Sequence, residues 1–87
     1  MKDVVLYTTN FCPYCVKAKR LLEKKGAEYE ELRIDINSEM REKMLAKSNG
    51  RKTVPQIFID DYHVGGCDEL YDLERDEKLD SLLMDES

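Results

Sequence analysis

The chain has little that would tie it to a membrane, to export or to nucleic acid. No segment approaches the ~20 consecutive apolar residues of a membrane-spanning helix, and the first residues lack the apolar stretch of a secretory signal. A cytoplasmic location is therefore expected. Positive charge is also short: 14 Lys and Arg stand against 19 Asp and Glu, a formal net charge of −5. That balance argues against a general nucleic-acid surface and against binding to anionic membranes. The three cysteines, an odd number at irregular spacing, make a poor disulfide framework. Neither internal repeats nor low-complexity segments occur. What remains is 87 residues, expected to form one small monomeric domain over 1–87, in a size range where folding needs neither metal nor structural disulfides.

The residues that are present fall into a regular alternation. Val4-Val5-Leu6-Tyr7 is a short apolar run of strand type, and Val16 to Gly26 reads as an amphipathic helix ending at glycine. From Tyr29 to Ile36, Leu32, Ile34 and Ile36 alternate with charged neighbours, which predicts a second strand. A strand, a helix and a strand within about 35 residues predict a βαβ unit with parallel strands and a right-handed crossover. Asn37 or Ser38 can cap a helix running to about Ser48, closed by Asn49-Gly50, with Met40, Met44 and Leu45 on a core face rather than as ligands. Thr53–Ile59, as a strand that begins after Pro55, and Tyr62–Gly65, joined at Asp60-Asp61, predict a β-hairpin. Cys67 to Leu73 opens a further helix with acidic residues in its first turn, where the helix dipole favours them. Leu79, Leu82 and Leu83 suggest a last short helix, after which Met84 to Ser87 should fray. The order β-α-β-α-β-β-α, with that short helix added, predicts an α/β fold: a four-stranded mixed sheet with helices on both faces.

Cys12-Pro13-Tyr14-Cys15 stands at the first strand-to-helix turn. Two thiols three positions apart at a helix start form a reversible dithiol/disulfide couple. Ideal helical spacing leaves their Cβ atoms about 5–6 Å apart, so a small adjustment at a non-helical cap brings the sulfurs into bonding range. Only a thiolate attacks a disulfide, and a free cysteine, with a pKa near ~8.5, is mostly protonated at neutral pH. With Cys12 as N-cap, unpaired backbone N–H groups and the helix dipole stabilise its anion, and cysteines so placed titrate at roughly 3.5–7.5. Pro13 suits the first helical position, where its missing N–H costs nothing. Cys15 faces the same side one turn on.

Three segments in this order, Cys12-Pro13-Tyr14-Cys15, Thr53-Val54-Pro55 and Gly65-Gly66-Cys67-Asp68 opening a helix, resemble the glutaredoxins of the dithiol (CPYC) class, members of the thioredoxin superfamily. The resemblance covers nearly the whole chain. It implies a thioredoxin-like fold and a glutathione-dependent thiol–disulfide oxidoreductase that reduces protein–glutathione mixed disulfides and protein disulfides. Glutathione would be the co-substrate, no metal would be needed, and the clients would be glutathionylated or disulfide-containing proteins. Cys12 would be the nucleophile and Cys15 the resolving thiol. The resemblance also implies a cis bond before Pro55, which would turn the Val54 backbone N–H and C=O outward to pair with glutathione as with an added strand. Gly66, Cys67 and Asp68 would then offer backbone N–H groups to the γ-glutamyl carboxylate. The Asp68 carboxylate would accept from the neighbouring ammonium, a role compatible with capping the helix. Lys52 or Arg51, with Thr53, would meet the glycyl carboxylate, and an exposed Tyr14 would pack against substrate.

One position departs from the family. Where many relatives carry lysine three residues before the first cysteine, this chain has Thr9, followed by Asn10 and Phe11. A cation that would help both thiolate and glutathione is thus missing, unless Lys17 substitutes from the helix. Cys67 fits as a small residue at a helix start, with a secondary oxidation or glutathionylation role as the alternative reading. His63, the one histidine, is expected on the solvent side of its strand. Together with Cys12, Cys15 and Cys67 it also counts as a possible zinc set, against which stands the lack of a glycine-rich knuckle at Pro13-Tyr14. A cluster bridged by Cys12 and glutathione in a dimer is the other metal reading, disfavoured because cluster-specialised relatives usually have a single active-site cysteine.

Overall fold

The computed structural model describes residues 2–84; of the expected fraying at Met84 to Ser87, all but Met84 lies outside the described residues. Eight elements follow in order: β1 (Val4–Thr8), α1 (Pro13–Lys24), β2 (Tyr29–Arg33), α2 (Ser38–Lys47), β3 (Gln56–Ile59), β4 (Tyr62–Gly65), α3 (Cys67–Arg75) and α4 (Leu79–Leu83). The sheet runs β2-β1-β3-β4. β1 and β2 are parallel, with Leu6 opposite Glu31, while β1–β3 and β3–β4 are antiparallel. The expected mixed sheet and βαβ unit are both present.

The two central strands alternate between two apolar layers, as the twofold period of a strand requires. Val4, Leu6, Ile57 and Ile59 pack with Ala18, Leu21 and Leu22 of α1, Leu70 of α3, and Leu79 and Leu83 of α4. Tyr7 and Phe58 face the other way, toward Met44 of α2 and Ile34, and meet edge to face with ring centroids 5.8 Å apart. Ala18, Leu21 and Leu22 stand at the i, i+3, i+4 spacing of one helical face, so α1 is held down along its length and its N-terminus is fixed at the C-terminal end of β1. Gly26, at φ +73°, ends that helix, and Asn37 caps α2 by accepting from the Glu39 and Met40 N–H groups.

Two sequence expectations fail in this layer structure. β2 stops at Arg33, short of Ile36. Ile34 still donates its N–H to Thr8 O at 2.9 Å, but β1 offers no partner beyond Thr8. Asp35 instead takes a double hydrogen bond from the Arg33 guanidinium at 2.7 and 2.6 Å, and Ile36 is left 76% exposed. His63 is half-buried, not on the solvent side of β4. The β3–β4 register that runs from the Ile59–Tyr62 pair places it opposite Phe58, on whose ring it stacks at 4.6 Å.

Candidate active site

Cys12 is the N-cap of α1, in extended backbone, and its sulfur accepts the Cys15 N–H at 3.1 Å. Its carbonyl accepts the Val16 N–H at 3.1 Å, and Pro13 occupies the first turn. The two cysteines are joined as a disulfide, with Cα atoms 5.1 Å apart. They differ in access: Cys12 is half-buried, whereas Cys15 is 1% exposed beneath the first turn. No acidic residue stands in that turn, so nothing within it opposes negative charge on sulfur.

The loop that delivers Cys12 is held from below. Asn10 donates its N–H to Asp35 at 3.2 Å, and the Arg33 fork with this backbone bond holds the Asp35 carboxyl down at about 2. Phe11, at φ +53°, is 93% exposed directly before the cysteine. Lys17 does not reach toward Cys12 in place of the missing lysine. Its ammonium lies over the Tyr71 ring, 4.9 Å from the centroid, and its charge acts on Cys67.

A cleft of about 350 Å³ opens beside the dithiol, lined by Tyr14, Arg51, Thr53, Val54, Pro55, Gly66, Cys67, Asp68 and Glu69. One wall is the loop into β3, where the Val54–Pro55 bond is cis and the Val54 carbonyl oxygen stands 4.0 Å from Cys12 Sγ. The other wall is the start of α3. Its N-cap is Gly66 and not Asp68, which falls within the first turn. The Glu69 carboxylate folds back to accept the Gly66 N–H at 2.8 Å and also meets Arg51 Nη2 at 3.3 Å. Those two donors hold its pKa below the usual carboxylate value against the effect of burial. Cys67 is 5% exposed, and burial pushes its thiol up, with Asp68 and Glu69 adding to the rise and Lys17 opposing it.

Eight of the eleven residues assigned to the site from the sequence line this one cleft: Tyr14, Arg51, Thr53, Val54, Pro55, Gly66, Cys67 and Asp68. Neither cysteine lines it, although Cys12 Sγ lies beside its Val54 wall, and Lys52 is exposed without lining it. Arg51 supplies the cation there. Sequence reasoning missed Glu69, although an acid three residues after a cap is a helix-start signal, and it missed Gln56, whose burial no local pattern announces. Among the described residues no group of three or more His, Cys, Asp or Glu side chains is arranged to hold a metal ion, and His63 Nε2 is taken up by Gln56 Oε1 at 2.6 Å.

Comparison with known proteins gives the same reading of this fold. The Glutaredoxin family profile matches residues 4–64. Glutaredoxin 3 of Escherichia coli (strain K12) is 54% identical over 83 residues, 95% of this chain and 99% of that protein. The solution structure of a glutaredoxin from Brucella melitensis superposes with a TM-score of 0.81 at 54% identity, covering 95% of this chain and 89% of the other. A crystal structure of a buckwheat glutaredoxin–glutathione complex superposes at 0.84 with 32% identity, over 94% and 76%. A thioredoxin-like sheet, a CxxC dithiol at a helix cap and this degree of identity together make the chain a member of the glutaredoxin family, a glutathione-dependent thiol–disulfide oxidoreductase.

Proposed function

We propose that Cys12 is the nucleophile and Cys15 the resolving thiol, and that glutathione lies along the cleft between Asp68 and Arg51. The observation that carries this reading is the unequal access of the two sulfurs, with Cys12 at the helix cap and Cys15 1% exposed. In the reduced protein, the Cys12 thiolate attacks the glutathione sulfur of a protein–glutathione mixed disulfide. A Cys12–glutathione bond forms as the client sulfur leaves as thiolate. A second glutathione thiolate attacks the glutathione sulfur of that adduct, which frees Cys12 and yields glutathione disulfide. With a protein disulfide, Cys12 bonds one client sulfur and expels the other. Cys15 then attacks Cys12 Sγ and expels the remaining client thiolate, which leaves the Cys12–Cys15 disulfide for two glutathione molecules to reduce.

Binding follows from the chemistry of the cleft walls. The first-turn N–H groups of α3, at Cys67 and Asp68, suit the γ-glutamyl carboxylate, and the Asp68 carboxylate suits its ammonium. The Val54 backbone pairs with the central residue as an added strand would. Arg51, rather than Lys52, with Thr53 meets the glycyl carboxylate, and Tyr14, 60% exposed, packs against the bound peptide. The buckwheat glutaredoxin–glutathione complex, formed by a relative of the same fold, supports glutathione as the ligand. We take the chain as one monomeric domain over 1–87 that acts in the cytoplasm, where thiols are kept reduced, on glutathionylated and disulfide-containing client proteins. The test is a Cys15→Ser variant incubated with a glutathionylated peptide. Mass spectrometry should find one glutathione per chain on the peptide that contains Cys12; an adduct confined to Cys67 would overturn the assignment.

A further inference from the structure

Gln56 is fully buried at the start of β3, on the sheet face it shares with Phe58. Its amide nitrogen lies 2.9 Å from the Thr53 carbonyl oxygen and 3.1 Å from Thr53 Oγ1. A carbonyl oxygen only accepts, so the amide N–H₂ must face Thr53, and the amide oxygen faces His63 Nε2 at 2.6 Å. That oxygen only accepts as well, so His63 carries its hydrogen on Nε2. Burial and the nearby Arg51 charge hold the ring below its ordinary pKa, which favours the neutral Nε2–H form. With Thr53 Oγ1 already accepting from the amide, its own O–H is left to donate, and Thr53 lines the cleft.

We infer that Gln56 is a positioning residue for glutathione: set by His63, it fixes the Thr53 backbone and turns the Thr53 hydroxyl into a donor aimed at an anionic group of the ligand. The inference rests on the reading that glutathione occupies this cleft. It concerns recognition, so it acts on KM for carboxylate-bearing substrates and leaves sulfur transfer at Cys12 alone.

The experiment measures kcat and KM on a glutathionylated peptide, and single-turnover reduction of a neutral disulfide without carboxylates, for wild type, Gln56→Met, Thr53→Ala, the double variant and His63→Phe. Loss of one oriented neutral hydrogen bond should raise KM in Gln56→Met roughly three- to tenfold, with kcat held within about twofold. On the Thr53→Ala background the same substitution should add less than about twofold, because its target is gone. His63→Phe keeps a ring to stack on Phe58 but removes the donor; it should move KM in the same direction by less, and it carries the test if Gln56→Met does not fold. Nitrogen chemical shifts should find neutral His63 in the Nε2–H tautomer. Additive KM effects of Gln56→Met and Thr53→Ala, or an Nδ1–H tautomer, would overturn the inference. A wild-type protein with no preference for the glutathionylated peptide over the neutral disulfide would remove the glutathione reading of the cleft, and this inference with it.

Discussion

Two helices begin at the same cleft, and they treat their unpaired N–H groups in opposite ways. At α1 the cap is Cys12, whose own sulfur takes the Cys15 N–H, while Pro13 removes one donor and no acid stands in the first turn. At α3 the cap is Gly66, which has no side chain, and the first turn carries Asp68 and Glu69. Both termini carry the same partial positive charge. In α1, under the proposed mechanism, it stabilises the Cys12 thiolate of the reduced protein, which must react. In α3, under the proposed binding mode, it serves an anion of the ligand, while Glu69 reaches back to the Gly66 N–H and Asp68 remains exposed at the cleft. On the proposed reading one terminus serves chemistry and the other recognition, and substitutions should separate them.

The largest effect should come from the reacting terminus. Cys12→Ser should abolish activity on every substrate, because a serine hydroxyl at this cap is neither ionised nor able to form a disulfide. Turnover on a glutathionylated peptide or on a protein disulfide would break the comparison. Cys15→Ser should keep deglutathionylation and lose most reduction of protein disulfides, since glutathione from solution can replace the resolving thiol only when the adduct is small. Parallel assays on the two substrates distinguish these outcomes.

The recognising terminus should show a smaller and more selective loss. Asp68→Ala should lower kcat/KM for a glutathionylated peptide roughly ten- to hundredfold, the range expected for a charged hydrogen bond, and leave a disulfide without an ammonium group nearly unaffected. Equal losses on both would make Asp68 a structural residue of α3 and remove the contrast.

The thiols themselves sharpen the comparison further. Cys12 in the reduced protein should titrate below the ~8.5 of a free cysteine, whereas buried Cys67, one residue into α3, titrates above its ordinary value. Raising the pH should therefore switch on iodoacetamide labelling at Cys12 first and at Cys67 last, as peptide mapping can follow. Thr9→Lys should lower the Cys12 value again, by less than the cap does.

The smallest effect concerns stability. Glu69 has its pKa lowered in the fold by the Gly66 N–H and by Arg51. Its contribution is therefore present above the unfolded value, near 4.5, and is lost as pH falls through the lower folded value. The melting temperature should decline on acidification through that range, and Glu69→Gln should flatten the decline slightly, because the pair with Arg51 is partly exposed and screened by solvent.

The elements whose signals are local were legible before any coordinates. The apolar run Val4 to Tyr7, the amphipathic run Val16 to Gly26, the caps at Cys12 and Asn37 and the glycine after α1 each act over a few residues, and each appears where the pattern put it. Ile36 marks the limit of such signals. Its alternation is that of a strand, but a strand needs a neighbour, and β1 ends before it.

Residue types and spacing thus determined by themselves the order of elements and the dithiol at a helix cap, because helix, turn and thiol preferences depend on near neighbours, and three motifs in the sequence carried the likeness to the family. Only the tertiary structure decided which distant groups share the cleft. It selected Arg51 over Lys52 as the cation lining it, made Gly66 rather than Asp68 the cap of α3, sent Lys17 to Tyr71 instead of Cys12, and set buried Gln56 and half-buried His63 behind Thr53. Those choices follow from strand register and from the packing of α1, α2 and α3 against the sheet, and such contacts between residues far apart in the chain leave no periodic trace in it.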